Sequence, residues 1–287
     1  MQTVKTVHEL QNKLSVLKEG SLIGFVPTMG ALHAGHISLI DRAKAECKYV
    51  VCSIFVNPTQ FNDPNDLAKY PRPISHDMEM LSNAKCDFLF LPTEEEIYPG
   101  GLKNELSLNF QELDKVMEGH FRPGHFDGMA QVVKRLLDII MPDNLYMGQK
   151  DFQQLAIVRS LLSQTNLPIH LIMCETVREP DGLAMSSRNI RLDPKLRKTA
   201  HLIYDILNWA KEVISERPIS EICAEAMSRL KHQKDFKPEY FEIVDGITLK
   251  QIVHIKNHDF VVACIGCWVG EVRLIDNIIL KKSVKIL

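Results

Sequence analysis

Neither sign of charge is in excess in this 287-residue chain: 34 Lys and Arg against 36 Asp and Glu leave a net charge of −2. No overall basic field is available to gather nucleic acid or an anionic membrane, so cations for an anionic ligand must be concentrated locally. Long apolar runs are lacking too. The longest, "FVVACIGCWVG" at 260–270, is too short to span a bilayer. The opening "MQTVKTVHELQNKL" has no apolar core like that of a secretory signal. Seven cysteines, odd in number and widely scattered, do not read as a disulfide framework. These readings predict a cytoplasmic protein. The CxxC of Cys264 and Cys267 lies in a strand-like run, where positions i and i+3 face opposite ways, so two small buried hydrophobes are expected rather than a metal or redox pair. The GxGxxG dinucleotide fingerprint is absent, which speaks against NAD.

What is present is an alternation. Apolar β-rich runs at 21–28, 49–56, 87–92, 144–148 and 169–177 are separated by helix-like patterns at 36–47, 74–85, 110–118, 126–140 and 151–165. Nearly continuous apolar strands with helices between them predict a parallel sheet covered on both faces, an α/β Rossmann-like doubly wound fold. Its ligand crevice should lie at the carboxyl ends of the strands. After about residue 178 the texture changes: a polar turn at 178–189, one long helix over 193–217, a second near 219–233, and strands at 240–245, 260–269 and 272–280. We expect a nucleotide- and acid-binding domain over 1–176 and a smaller C-terminal α+β domain over 177–287.

The stretch "GFVPTMGALHAGHISLI", 24–40, ends a strand at Pro27 and Thr28, passes through small residues, and enters a helix near His33 to His36. The free N–H groups and positive dipole end of that helix form a natural phosphate site. Gly30 and Gly35 would let a nucleotide press against the backbone. His33 and His36, one turn apart, would add donors to a phosphate whose charge grows in a transition state. A zinc pair and a purely structural histidine are the competing readings.

At this point the sequence resembles the pantothenate synthetase family. "PTMGALHAGH" looks like its signature, with the HxGH of the class I nucleotidyltransferase and synthetase superfamily inside it. "FVNPTQF" (55–61), "YPR" (70–72), "RPGHFDG" (122–128), "GQKDFQQL" (148–155) and "DGLAMSSRN" (181–189) follow in the family's order. The resemblance implies an ATP- and Mg²⁺-dependent ligase that joins pantoate to β-alanine through a pantoyl adenylate, releasing AMP and pyrophosphate. It also implies a homodimer, with small molecules rather than nucleic acid or membrane as partners.

By resemblance, Met29, Gly30, Ala31, Leu32, His33, Ala34, Gly35 and His36 line the ATP site, with His36 as proton donor and His33 on phosphate. Gly148, Gln149, Lys150 and Asp151 would wrap the nucleotide, Val177 would pack near adenine, and Met185, Ser186, Ser187 and Arg188 would form a second phosphate loop. Closure of the small domain would deliver that loop to ATP. Gln60 and Gln154, with Pro27 and Thr28, would hold pantoate, and Gln60 would also touch β-alanine; a neutral amide both donates and accepts. Asn57, Tyr70, Arg72 and His125 are further candidates, and Asp77 is the candidate protein-side contact for Mg²⁺. Gln149 stands where the family usually has Glu, and Pro73 where "YPRT" is commoner. Two rival classes remain: a nucleotidyltransferase that leaves the nucleotide on its product, and a catalytically idle ATP-binding module.

Overall fold

The computed structural model describes residues 1–17, 20–61, 64–102 and 108–283. Six strands form one parallel sheet: β1 (Gln2–Val4), β2 (Ile23–Thr28), β3 (Tyr49–Ile54), β4 (Phe88–Phe90), β5 (Asn144–Gly148) and β6 (His170–Cys174). Their order is β1-β4-β3-β2-β5-β6. The chain starts its main winding at the centre, moves outward through β3 and β4, then crosses to β5 and β6 on the other side. The doubly wound class expected from the alternation is the one observed.

Alternate residues of the central strands serve two cores, as a sheet covered on both faces requires. Phe25, Val51 and Leu145 pack with the helices Val7–Ser15, His125–Ile140 and Phe152–Thr165. Val26, Val50, Cys52 and Tyr146 pack on the opposite side with the helices Ala34–Glu46 and Ile74–Asn83.

A second, antiparallel sheet of β7 (Phe236–Asp245), β8 (Phe260–Val269) and β9 (Val272–Lys282) carries the helices Leu202–Val213 and Ile219–Lys231 on its own core. The sheet docks on the first through an apolar cluster in which Phe152 and Ala156 meet Tyr240, Phe260 and Cys264. Cys264 belongs to this cluster and Cys267 to the small core, so the CxxC pair does face two ways. Burial pushes both thiols up from their ordinary values.

Three expectations differ. Residues 110–118 are not one helix: 111–115 run as successive turns, Gln111 and Met117 hold positive φ, and only Met117–Phe121 is helical. The fold-back puts the Asp114 carbonyl against Gly119, where a Cβ would lie 1.9 Å from it. The long helix over 193–217 is two, Pro194–Arg197 and Leu202–Val213, because the bonds from Thr199, Leu202 and Ile203 tighten to the third residue back. Finally, β1 and the helix Val7–Ser15 precede the first expected strand; "QTV" is too short to carry an apolar pattern.

Candidate active site

β2 pairs with β3 along all six of its residues, but with β5 only at Gly24 and Phe25. The carboxyl halves of β2 and β5 therefore splay apart at the point where the winding reverses, and a crevice opens there. The helix Ala34–Glu46 begins at this crevice with no acidic residue in its first turn, so its positive end is not neutralised from within.

Between Thr28 and that helix the chain is tightly held. The Thr28 hydroxyl donates to the Ser53 carbonyl (2.7 Å) and accepts from Gly30 N–H (3.2 Å). Gly30 and Ala31 both take positive φ, cheap for glycine and strained for alanine. What holds Ala31 there is Asp77, whose carboxylate accepts from Ala31 N–H (2.9 Å) and Leu32 N–H (2.8 Å) and is fully buried. Asp77 is expected to contact Mg²⁺; here each of its oxygens accepts from a backbone amide, the side chain is fully buried, and it lines neither of the two cavities of the crevice. Among the described residues no cluster of three or more His, Cys, Asp or Glu is arranged to hold a metal.

His33 is the N-cap. Its Nδ1 accepts from Gly35 N–H (3.1 Å), while His36 Nδ1 accepts from His33 N–H (3.3 Å), a reciprocal capping box made of two imidazoles 4.1 Å apart. A Cβ at Gly35 would sit 2.9 Å from the His33 ring, so any other residue there would push the ring out of its cap position. Because both Nδ1 atoms accept, the proton of each neutral ring sits on Nε2. Burial, reinforced by the Lys150 ammonium, depresses His33 to about 4, and burial with the neighbouring His33 depresses His36 to about 3. At neutral pH each ring is an uncharged Nε2–H donor.

A cavity of about 130 Å³ lies against these rings. His33, Gly35, His36, Gly148, Lys150, Asp151, Val177, Met185 and Ser186 all line it. Val177 and Met185 face each other across the neck of a small hairpin, Met185 N–H donating to the Val177 carbonyl (3.0 Å). Glu175 and Thr176 also line it, and the Thr176 hydroxyl is buried without a partner among the described residues.

A second cavity of about 180 Å³ adjoins the first, sharing Pro27, Lys150, Asp151 and Gln154 as a common wall. Gln60 and Thr28 line it, together with Met29, which was expected beside ATP. Met129, Val132, Val133 and Leu136, at i, i+3, i+4 and i+7 of one helix, form its apolar side. Gln60 is oriented by Asn57, whose amide donates to Gln60 Oε1 (3.2 Å) and to the Gly128 carbonyl (3.0 Å). A Cβ at Gly128 would meet the Thr59 carbonyl at 2.3 Å, so only glycine lets this helix approach the turn carrying Gln60. Asp151 faces the crevice. Its side chain is half exposed; desolvation in the crevice works to raise its carboxyl, but Lys150 and Arg188 outweigh that and hold it below its ordinary value.

Several expected residues point elsewhere. Gln149 is buried and donates to Asn277 Oδ1 on β9 (3.1 Å), while Asn277 Nδ2 donates to the carbonyls of Gln149 and Lys150 (2.9 Å each). Its side chain therefore ties the Lys150 loop to the small sheet and does not line the His33–His36 cavity. Ala34 is exposed, and Ala31 and Leu32 are buried behind the turn. Ser187 and Arg188 are not among the residues lining the His33–His36 cavity. Ser187 lies 3.4 Å from the Tyr70 hydroxyl, and Arg188 borders the second cavity and pairs with Asp66 (3.1 Å), which also holds Arg191 (3.0 Å). Arg122, at the end of Met117–Phe121, lines the second cavity as well; its motif "RPGHFDG" marked the segment, but nothing in the spacing singled out the arginine.

A family model described as pantoate-beta-alanine ligase matches residues 2–279. The chain is 48% identical over 280 residues to the pantothenate synthetase of Azobacteroides pseudotrichonymphae, covering 97% of this chain and 99% of that one. Its fold superposes on the crystal structure of pantothenate synthetase from Thermus thermophilus with a TM-score of 0.91 at 38% identity, covering 98% and 100% of the two chains. It also superposes on pantoate-beta-alanine ligase from Francisella tularensis, crystallised as a complex with beta-gamma ATP and beta-alanine, with a TM-score of 0.80 at 37% identity and 98% of each chain covered.

Proposed function

The chain belongs to the pantoate–β-alanine ligase family, and from that premise we propose how its two joined cavities condense pantoate with β-alanine at the expense of ATP. The observation that carries the reading is the shared wall of Pro27, Lys150, Asp151 and Gln154. A wall common to two cavities lets an acid in one meet a nucleotide in the other.

Pantoate, a hydroxy acid with a quaternary dimethyl carbon, suits the second cavity: methyl groups against Met129, Val132, Val133 and Leu136, hydroxyl and carboxylate toward Gln60 and Gln154. ATP takes the first cavity, its phosphates toward the helix N-terminus, the two Nε2–H donors and Lys150, its base toward Val177 and Met185. A carboxylate is a poor electrophile, so its oxygen first attacks the α-phosphorus; a P–O bond forms, pyrophosphate leaves, and a pantoyl adenylate results. The amine of β-alanine then attacks the acyl carbon, a C–N bond forms, the bond to AMP breaks, and a proton passes to solvent.

The role of His33 and His36 is to donate hydrogen bonds to charge growing on phosphate, which needs no imidazolium. Ser187 and Arg188 reach the outer phosphates only when Arg188 leaves Asp66, a movement of the hairpin with the small domain. Mg²⁺ would arrive with ATP, held by phosphate oxygens and its own waters. We further read the protein as a cytoplasmic homodimer. Seven unpaired cysteines support a reducing compartment, and the dimer rests on the family resemblance.

The test is AMP and pyrophosphate release with ATP and pantoate, with and without β-alanine. A ligase releases AMP in an amine-dependent manner and yields pantothenate. A stable nucleotidyl product would favour the nucleotidyltransferase reading, and no turnover would favour the idle module.

A further inference from the structure

Among the described residues no carboxylate forms an ion pair with the Arg122 guanidinium. Its neighbours are matched: Arg178 pairs with Asp276, Arg188 and Arg191 with Asp66, and Arg273 with Glu118 and Glu239. Glu118, in the same helical turn, is not free to serve Arg122: its two oxygens accept from Arg273 (2.6 Å each) and from the Tyr240 hydroxyl (2.8 Å). Among the described residues the one side chain hydrogen-bonded to Arg122 is His125, at 3.1 Å.

That contact is directional. His125 Nδ1 lies 2.7 Å from the Gln60 carbonyl, which can only accept, so Nδ1 carries the proton and Nε2 accepts from Arg122. Burial and the guanidinium depress His125 to about 4, so the ring stays neutral and takes no charge from Arg122. One of the five donors of the guanidinium is thereby fixed and the remaining ones are left for a ligand. The fixed edge also ties Arg122 to the backbone of Gln60.

The position is equally specific. Arg122 borders the Gln60 cavity and a larger cleft of about 390 Å³ between the small sheet and segments 65–69 and 118–122. Lys150, Asp151 and Arg188 also border both, but Lys150 lies 3.6 Å from Asp151 and Arg188 is paired with Asp66, which leaves Arg122 as the cation without a carboxylate partner among the described residues where the cleft meets the cavity. An amino-acid substrate entering by this route must place its amine on the acyl carbon and leave its carboxylate behind. A half-buried carboxylate needs a cation, and a forked guanidinium is the group best matched to it.

We propose that Arg122 binds the carboxylate of the amino-acid substrate, held in orientation by His125, and so selects carboxylated amines over plain ones. The inference rests on the ligase reading above, and deepens it by assigning the second acceptor subsite to the mouth of the outer cleft. Lys150 and Arg188 are left to the phosphates.

The experiment compares β-alanine with its neutral carboxamide, β-alaninamide, as acceptor at saturating ATP and pantoate. Wild type should prefer the carboxylate by about 10²-fold or more in kcat/KM, and R122A should lose most of that preference, falling about 10²-fold with β-alanine and little with the amide. R122K, which keeps charge without the fork, should fall between. Pantoate-dependent exchange of pyrophosphate into ATP, followed in each variant, reports whether the acid is still activated. Equal losses with both amines, or an unchanged preference in R122A, would overturn the proposal. Should R122A not fold, R122Q supports the same ratio. Absence of exchange in wild type would instead sink the ligase reading itself.

Discussion

His36→Asn separates two duties that one ring performs. Asparagine places an acceptor near the position of Nδ1, so the bond from His33 N–H survives, but nothing reaches the place of Nε2–H. If His36 acts as a neutral donor to phosphate, adenylate formation should fall about 10²- to 10³-fold, or roughly 3–4 kcal/mol in the barrier, as for other lost transition-state donors. Stability should change by no more than about 0.5 kcal/mol. His36→Ala should show the same kinetic loss and a further destabilisation of about 1 kcal/mol from the broken cap. Single-turnover quenched flow with ATP and pantoate reads the first quantity, urea unfolding the second. The pH profile sharpens the test. With His36 depressed to about 3, the donor form is already complete at neutral pH, so adenylation should show no decline between about pH 6 and 8 assignable to this ring. Wild-type adenylation in His36→Asn, or a profile that falls with rising pH through about 6.5 and is abolished by that substitution, would refute the argument.

Three further outcomes are expected. Gln60→Ala should raise the pantoate KM about tenfold, as for one hydrogen bond to a charged group, and leave the ATP KM within about twofold; parallel losses would contradict the two-cavity assignment. Asp77→Asn should cost about 2–4 kcal/mol, because an amide NH₂ would face a backbone N–H in a fully buried site, yet leave the Mg²⁺ dependence of residual activity untouched. An altered Mg²⁺ requirement with an unchanged melting temperature would restore the metal role. His33, His36 and His125 are all held below the ordinary 6.5, so the unfolded chain takes up protons that the folded chain refuses. Stability from these groups is full above about pH 6.5 and falls toward pH 4 by about 1.4 kcal/mol per pH unit for each, and equal urea midpoints at about pH 7.5 and 5.5 would disprove it.

The frame of the site was legible because its signals are local. An apolar run ending at Pro27, glycines at 30 and 35, and a resumed helical period place a helix N-terminus at the end of a strand without any distant contact. Directions set by distant contacts were not legible. Gln149 turns toward Asn277, 128 residues on, and no feature of "GQKD" announces it. Met129, Val132, Val133 and Leu136 read as an ordinary core-facing stripe, and periodicity cannot say that part of such a stripe borders a cavity. Asp77 is instructive in another way. It shares a helical face with Leu81, four residues on and fully buried, so the pattern already placed the carboxylate on the inward side.

The partition formed by Lys150, Asp151 and Gln154 has a thermodynamic corollary. Two molecules that press on one set of side chains cannot bind independently, and linkage makes their influence mutual. Whatever factor the acid imposes on the dissociation constant of the nucleotide, the nucleotide must impose on that of the acid. Titrations in either order should therefore close the same cycle, and its sign reveals whether ammonium and carboxylate at that partition recruit the second anion or repel it.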